Sequence, residues 1–201
     1  MSAKPHYFIG IPFPAEFAEA LYRTISSRPA FSFHKWVHPS DYHFTLVFLG
    51  PADDEQLRAL EDRLRLISDE TPPFELVLKQ IGTFGKASQP RILHVEPEYS
   101  APLFHVRERV KKAAAAVGFE IEKRPFHPHM TVARKWKGSA PFNARLEPLE
   151  GGISFTARQY TIFQTHLDRL PKYEHKAVFP FGGRKITEKQ DSEMNIDGTD
   201  Y

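Results

Sequence analysis

The stretch Tyr42-His43-Phe44-Thr45-Leu46-Val47-Phe48-Leu49-Gly50 leaves its backbone few choices. It is dense in aromatic and β-branched residues and is closed by glycine, which is how a buried strand reads. In a strand, residues i and i+2 share a face, so the His43 imidazole and the Thr45 hydroxyl point the same way, while Phe44, Leu46 and Phe48 are expected on the core side. The pattern returns at Pro128-His129-Met130-Thr131-Val132-Ala133-Arg134, with His129 and Thr131 on one face and Met130 and Val132 on the other. One His-x-Thr carries little information; two copies, each running into apolar residues, are far more specific.

A chain of 201 residues with 41% apolar residues supports one substantial core, burying roughly 70% of the surface an unfolded chain exposes. A formal net charge of +2 implies no broad polyanion-binding surface. With no cysteine there is no disulfide framework and no thiolate nucleophile. Neither a signal peptide nor a membrane span is visible, so a cytoplasmic protein is expected.

The remaining periodicities predict an α+β chain. His6 to Ile11 reads as a strand and Ala15 to Ser26 as a helix. Phe31 to Pro39 reads as a loop or ragged strand, whose Phe31, Phe33 and Trp36 either pack or stack a base beside His34 and Lys35. Asp53 and Asp54 open a second helix carried by Leu57, Leu60, Leu64 and Ile67, and Thr71-Pro72-Pro73 ends it and the first half of the chain. Phe74 to Ile81 and Arg91 to Val95 predict a hairpin turning through Gly82–Gly85 and Ser88–Pro90. Ala101 to Val117 predicts a third helix stopped by Gly118. The second His-x-Thr strand follows, then a loop over 136–152 and strands over 154–164 and 173–181. The order suggests two related α+β lobes with the histidines in equivalent places. Residues 1–183 are expected to form one domain, and the polar segment 184–201 a disordered tail.

Histidine titrates near pH ~6.5, so two rings facing one pocket can supply a base and an acid at neutral pH. Thr45 and Thr131 can hydrogen-bond anionic oxygens, and Arg134 can add a charge-assisted contact. Strict alternation turns Arg134 away from His129, and it reaches the pocket only if the strand bends. Such a pocket suits a phosphodiester and requires no metal. A metal reading uses His127 and His129 with His94 or His105 as a third ligand, but without an acidic partner at convincing spacing. A binding module that merely holds phosphate remains the rival from a different class.

These residues resemble the 2H phosphoesterases, marked by paired His-x-Thr-x tetrapeptides, and among them the bacterial RNA 2',3'-cyclic phosphodiesterases, also called 2'-5' RNA ligases. The likeness rests on Phe8-Ile9-Gly10-Ile11, Trp36-Val37, His43-Phe44-Thr45-Leu46, Phe48-Leu49-Gly50 and Pro128 to Arg134, within residues 6–181. It implies a bilobal fold of two pseudo-symmetric lobes, with antiparallel sheets around a central cleft and helices outside. It further implies opening of a 2',3'-cyclic phosphate at RNA or oligonucleotide ends, or of small cyclic nucleotides, to a 2'-phosphomonoester, without a cofactor. His43 would be proton donor and His129 proton acceptor, with Thr45, Thr131 and Arg134 on the substrate. Formation of 2'-5' linkages from the same site is the reverse option. A monomer is expected, with no membrane association. The chain departs from the family pattern at His94, where tryptophan is common, and at Thr165-His166-Leu167, where Ser-x-Leu is common.

Overall fold

The computed structural model describes residues 5–182. The expected disordered tail over 184–201 lies outside them. In chain order the elements are strand β1 (His6–Pro12), helix α1 (Ala15–Ser26), strand β2 (Phe33–Trp36), a 3-10 turn (Pro39–Asp41), strand β3 (His43–Pro51), helix α2 (Asp54–Glu70), strands β4 (Phe74–Lys86) and β5 (Gln89–Pro97), helix α3 (Ala101–Ala116), and strands β6 (Met130–Trp136), β7 (Ile153–Ala157), β8 (Gln159–Thr165) and β9 (Tyr173–Pro180).

Local chemistry sets most of these limits. The Asp53 carboxylate accepts the Gln56 backbone N–H at 2.9 Å and so caps α2. At the end of α3, Gly118 takes a φ of 87°, a left-handed turn that glycine adopts without cost. Each helix buries one stripe, such as Leu57, Leu60, Leu64 and Ile67 of α2 and Leu103, Val106 and Val110 of α3. Arg109 of α3 pairs with Glu70 of α2 where the two helices meet. Among the described residues no helix is long and apolar enough to cross a membrane.

The strands form two antiparallel sheets, ordered β3-β1-β8-β9 and β2-β6-β5-β4-β7. The halves of the chain are therefore interleaved, contrary to lobes that follow sequence order. β2, from the first half, pairs with β6, and β8 and β9, from the far end, complete the sheet of β1 and β3. Residues 154–164 are accordingly two strands broken at Arg158, one for each sheet, where one strand was expected. The β4–β5 hairpin is also longer than expected. Gly82 to Gly85 lie inside β4 and pair across to β5, because the chain turns only at Ala87-Ser88. The two sheets approach one another along β3 and β6, the strands that carry the repeated motif.

Both motif strands contain the same irregularity. Opposite β1, Thr45 pairs with Gly10 and Val47 with Ile9, so Leu46 is an extra residue; opposite β5, Thr131 pairs with His94 and Ala133 with Leu93, so Val132 is extra. A bulge of this kind reverses the alternation beyond it. Hence Leu46 and Val47 are both buried, as are Val132 and Ala133. Phe48, expected in the core, is instead 60% exposed on the face of His43 and Thr45. The bulge supplies the bend that Arg134 requires.

Candidate active site

His43 opens β3, and His129 immediately precedes β6 instead of lying within it. The two rings are held in the same way. His43 Nδ1–H donates to the carbonyl of Asp41 at 2.7 Å, and His129 Nδ1–H donates to the carbonyl of His127 at 2.8 Å. In each case the acceptor belongs to the residue two positions earlier. A neutral imidazole carries one hydrogen, so binding it at Nδ1 leaves Nε2 with a free lone pair. His43 Nε2 lies 3.0 Å from the Thr45 hydroxyl, which donates to it in that tautomer.

The carbonyl behind His43 is itself anchored. The Asp41 side chain, 4% exposed, accepts the backbone N–H groups of Lys172 and Tyr173 at 2.9 and 3.0 Å, tying the motif to the start of β9. Around the His43 ring stand Phe8, Phe163 and Tyr173, with centroids 4.6, 5.5 and 5.0 Å away. Gly10 lies beneath them, where a side-chain Cβ would come within 2.9 Å of the Phe44 carbonyl oxygen and 3.3 Å of His43 Cδ2. Phe84 occupies the corresponding place beside His129, edge to face at 4.8 Å.

Burial decides the proton balance. It lowers the His43 pKa to about 4, outweighing the Asp41 hydrogen bond that favours the charged ring; Arg134 and His129 push it further down. His129 is also lowered, first by burial and less by neighbouring charge, against the His127 carbonyl and Glu96. Arg134 acts electrostatically on both histidines and on Tyr173, whose pKa burial raises and the guanidinium lowers. The guanidinium thus belongs to the same site. Thr131 is half-buried on the corresponding face of the second motif.

Other expectations separate. Phe31 and Phe33 are 4% and 2% exposed and pack with Phe142 and Trp136, and the Trp36 ring meets Tyr22 edge to face, so this stretch is packing and not a base platform. The rings of His94, His127 and His129 stand 5.5–6.3 Å from one another, but the ligand atoms that converge are those of His94 and His127, and an acidic partner is present after all in Glu96. Sequence reading missed Asp41, Phe163 and Tyr173, and gave Phe8 a place in the family likeness without a place in the site. Asp41 carried a local signal, its position two residues before the first motif histidine, matched by His127 before the second.

A family model described as the 2'-5' RNA ligase superfamily matches residues 13–169. The RNA 2',3'-cyclic phosphodiesterase of Bacillus subtilis (strain 168) is 45% identical over 178 residues, 89% of this chain and 96% of that protein. The protein of the same name from Geobacillus stearothermophilus is 36% identical over 90% of this chain, which spans 58% of its length. Among solved structures, a Thermus thermophilus protein superposes with a TM-score of 0.77 at 23% identity, over 90% of this chain and 100% of that one. E. coli LigT, crystallised with 3'-AMP, gives 0.74 at 24% identity, over 89% and 99%. These two likenesses bear on the fold.

Removing the carboxylate in Asp41→Ala leaves two part-buried N–H groups without acceptors and is expected to cost about 1–3 kcal/mol in urea unfolding. Asp41→Asn, which keeps one acceptor oxygen, should recover part of that loss. His43 also makes stability depend on pH. Its folded pKa, about 4, lies below the ordinary value of 6.5, so the unfolded chain takes up the proton first. The stability due to the neutral ring is complete above pH 6.5 and is lost as pH falls towards 4. Melting curves over that range should therefore slope less steeply in His43→Gln than in the native protein; identical slopes would contradict the assignment.

Proposed function

The chain belongs to the 2'-5' RNA ligase superfamily, and from that premise we propose that it opens 2',3'-cyclic phosphates at RNA or oligonucleotide ends to 2'-phosphomonoesters. The observation that carries the reading is the duplicated tautomer lock, which gives one site two imidazoles with unprotonated Nε2 atoms, that of His43 accepting from Thr45. The curated relatives' names supply the substrate class.

His129 is the base and His43 the acid. His129 Nε2 takes a proton from water as the water oxygen attacks phosphorus. The bond from phosphorus to O3' breaks, and O3' takes the proton from the His43 imidazolium. The product is a 2'-phosphate with a free 3'-hydroxyl, and proton exchange with solvent resets both rings. The enclosure of His43 by Phe8, Phe163 and Tyr173 supports its position at the leaving group.

A His43 held neutral by the protein's own surroundings means that the substrate phosphate must stabilise the proton. A phosphate within ~4 Å of the ring, at an effective dielectric of ~20, supplies about 4 kcal/mol. Returning the ring from about 4 to 6.5 takes two and a half units, roughly 3.4 kcal/mol at about 1.4 kcal/mol per unit, which the phosphate just covers. Thr45, Thr131 and Arg134 bind the non-bridging oxygens, and the positive charge of Arg134 offsets the charge that grows on them. The proposed step asks for no second copy of the chain, and the interleaved sheets within residues 5–182 support the reading of 1–183 as one domain.

The test is turnover of a short RNA ending in a 2',3'-cyclic phosphate, with chelator present. A 2'-phosphate product is expected, with about 10²–10⁴-fold slower turnover in His43→Ala and in His129→Ala. Native turnover in either variant, or no product from the native enzyme, would overturn the proposal. Retained saturable binding without product would identify a binding module instead.

A further inference from the structure

Beside the second motif lies a cluster that the hydrolytic step does not use. His94 and Glu96 sit two apart on β5 and share a face, and His127 reaches them from the segment leading into β6. One carboxylate oxygen, Glu96 Oε1, accepts from His94 Nε2 at 2.6 Å and from His127 Nε2 at 2.8 Å. One ligand atom from each of the three residues falls within 4.8 Å of the others. We propose that His94, Glu96 and His127 form a binding site for a divalent cation of the Zn²⁺ class.

Donor chemistry selects the class. Two imidazole nitrogens and one carboxylate oxygen suit zinc and its first-row neighbours and suit neither Mg²⁺ nor Ca²⁺, which prefer all-oxygen sets. Tetrahedral bonds of about 2.0–2.2 Å place ligand atoms roughly 3.4 Å apart. The contacts to Glu96 Oε1 at 2.6 and 2.8 Å must therefore open by about 0.6–0.8 Å, and two of the three side chains are free to move. Glu96 and His127 retain 27% and 55% side-chain exposure, so an ion can enter from solvent and keep water as its fourth ligand.

His94, in contrast, is fixed. Its side chain is 1% exposed and its ring stacks on Phe84 at 4.1 Å. It also lies over Gly82, where any Cβ would approach Nε2 to 2.4 Å. Nδ1 is buried without a hydrogen-bond partner, so the tautomer is settled at Nε2 alone. Glu96 keeps the hydrogen there; when a cation takes Nε2, that hydrogen moves to Nδ1, where no acceptor meets it, a cost that the metal bond has to exceed. A buried histidine oriented by a glycine cradle and a stacked ring is a preorganised ligand, which lowers the cost of binding.

The test is competition for Zn²⁺ between tag-free, full-length protein and a chromogenic chelator, which reads binding whether or not the enzyme turns over. One equivalent is expected to bind to the native chain. Glu96→Gln and His127→Ala should each weaken binding by about tenfold or more, whereas His105→Ala, on α3, should leave it unchanged. His127→Gln replaces the alanine variant if circular dichroism shows the latter misfolded. No bound equivalent would mean a hydrogen-bonded cluster only, and native affinity in either ligand variant would place the ion elsewhere. Each result overturns the proposal.

Discussion

The hydrogen bond from a histidine Nδ1 to the carbonyl two residues before it is the contact on which the site depends. It occurs twice, and each time it converts a strand-edge histidine into a ring of known tautomer with its basic lone pair at Nε2. Neither bond is worth more than about 0.5–1.5 kcal/mol. Their importance is geometric, because a ring free to flip would present Nδ1 and Nε2 in turn. The structure reinforces both carbonyls from behind with a carboxylate. Asp41 clasps the N–H groups of Lys172 and Tyr173, and Glu96 holds the His127 imidazole. The two carboxylates arrive from unrelated places in sequence and serve corresponding positions.

The same arrangement explains why the two halves exchange strands. Asp41 can anchor to β9 only if the C-terminal strands join the sheet of β1 and β3. Arg134 meets Tyr173 only if β6 faces that sheet across the site. The backbone hydrogen bond from Val37 to the Val132 carbonyl, at 2.9 Å, extends the β2–β6 pairing towards the first motif. Connections between the halves thus run directly past the histidines, and packing and catalysis use one framework. The enclosure that orients His43 also strips it of water, which is why burial dominates its pKa.

The chemical face was legible in sequence because a strand's period of two is strict over the short interval from His43 to Thr45 and from His129 to Thr131. It failed one residue later. Leu46-Val47 and Val132-Ala133 are consecutive apolar pairs, a sign of the bulge that local alternation does not require. That bulge accounts for both the exposure of Phe48 and the recruitment of Arg134. The helices were read almost to the residue because their caps and apolar stripes are local. The extent of the β4–β5 hairpin and the partners of β2, β7 and β8 were not readable, since glycine inside a strand resembles glycine in a turn. Pairing across the chain leaves no mark on either strand alone. Asp41 and Glu96 were missed for that reason: each acts on groups distant in sequence, and only the fold brings them together.

Two Nε2 atoms of matching tautomer sharing one phosphate have a direct spectroscopic signature. It is read by titrating ¹⁵N-histidine-labelled protein with a nucleoside 2'-monophosphate, the product class of the proposed reaction, and recording two-bond ¹H–¹⁵N correlation spectra. Nδ1 of both His43 and His129 should remain protonated throughout, and both Nε2 resonances should move along one common binding curve. Movement of only one ring, two separate curves, or an Nε2–H tautomer in either free histidine would contradict a shared phosphate held by two matched rings.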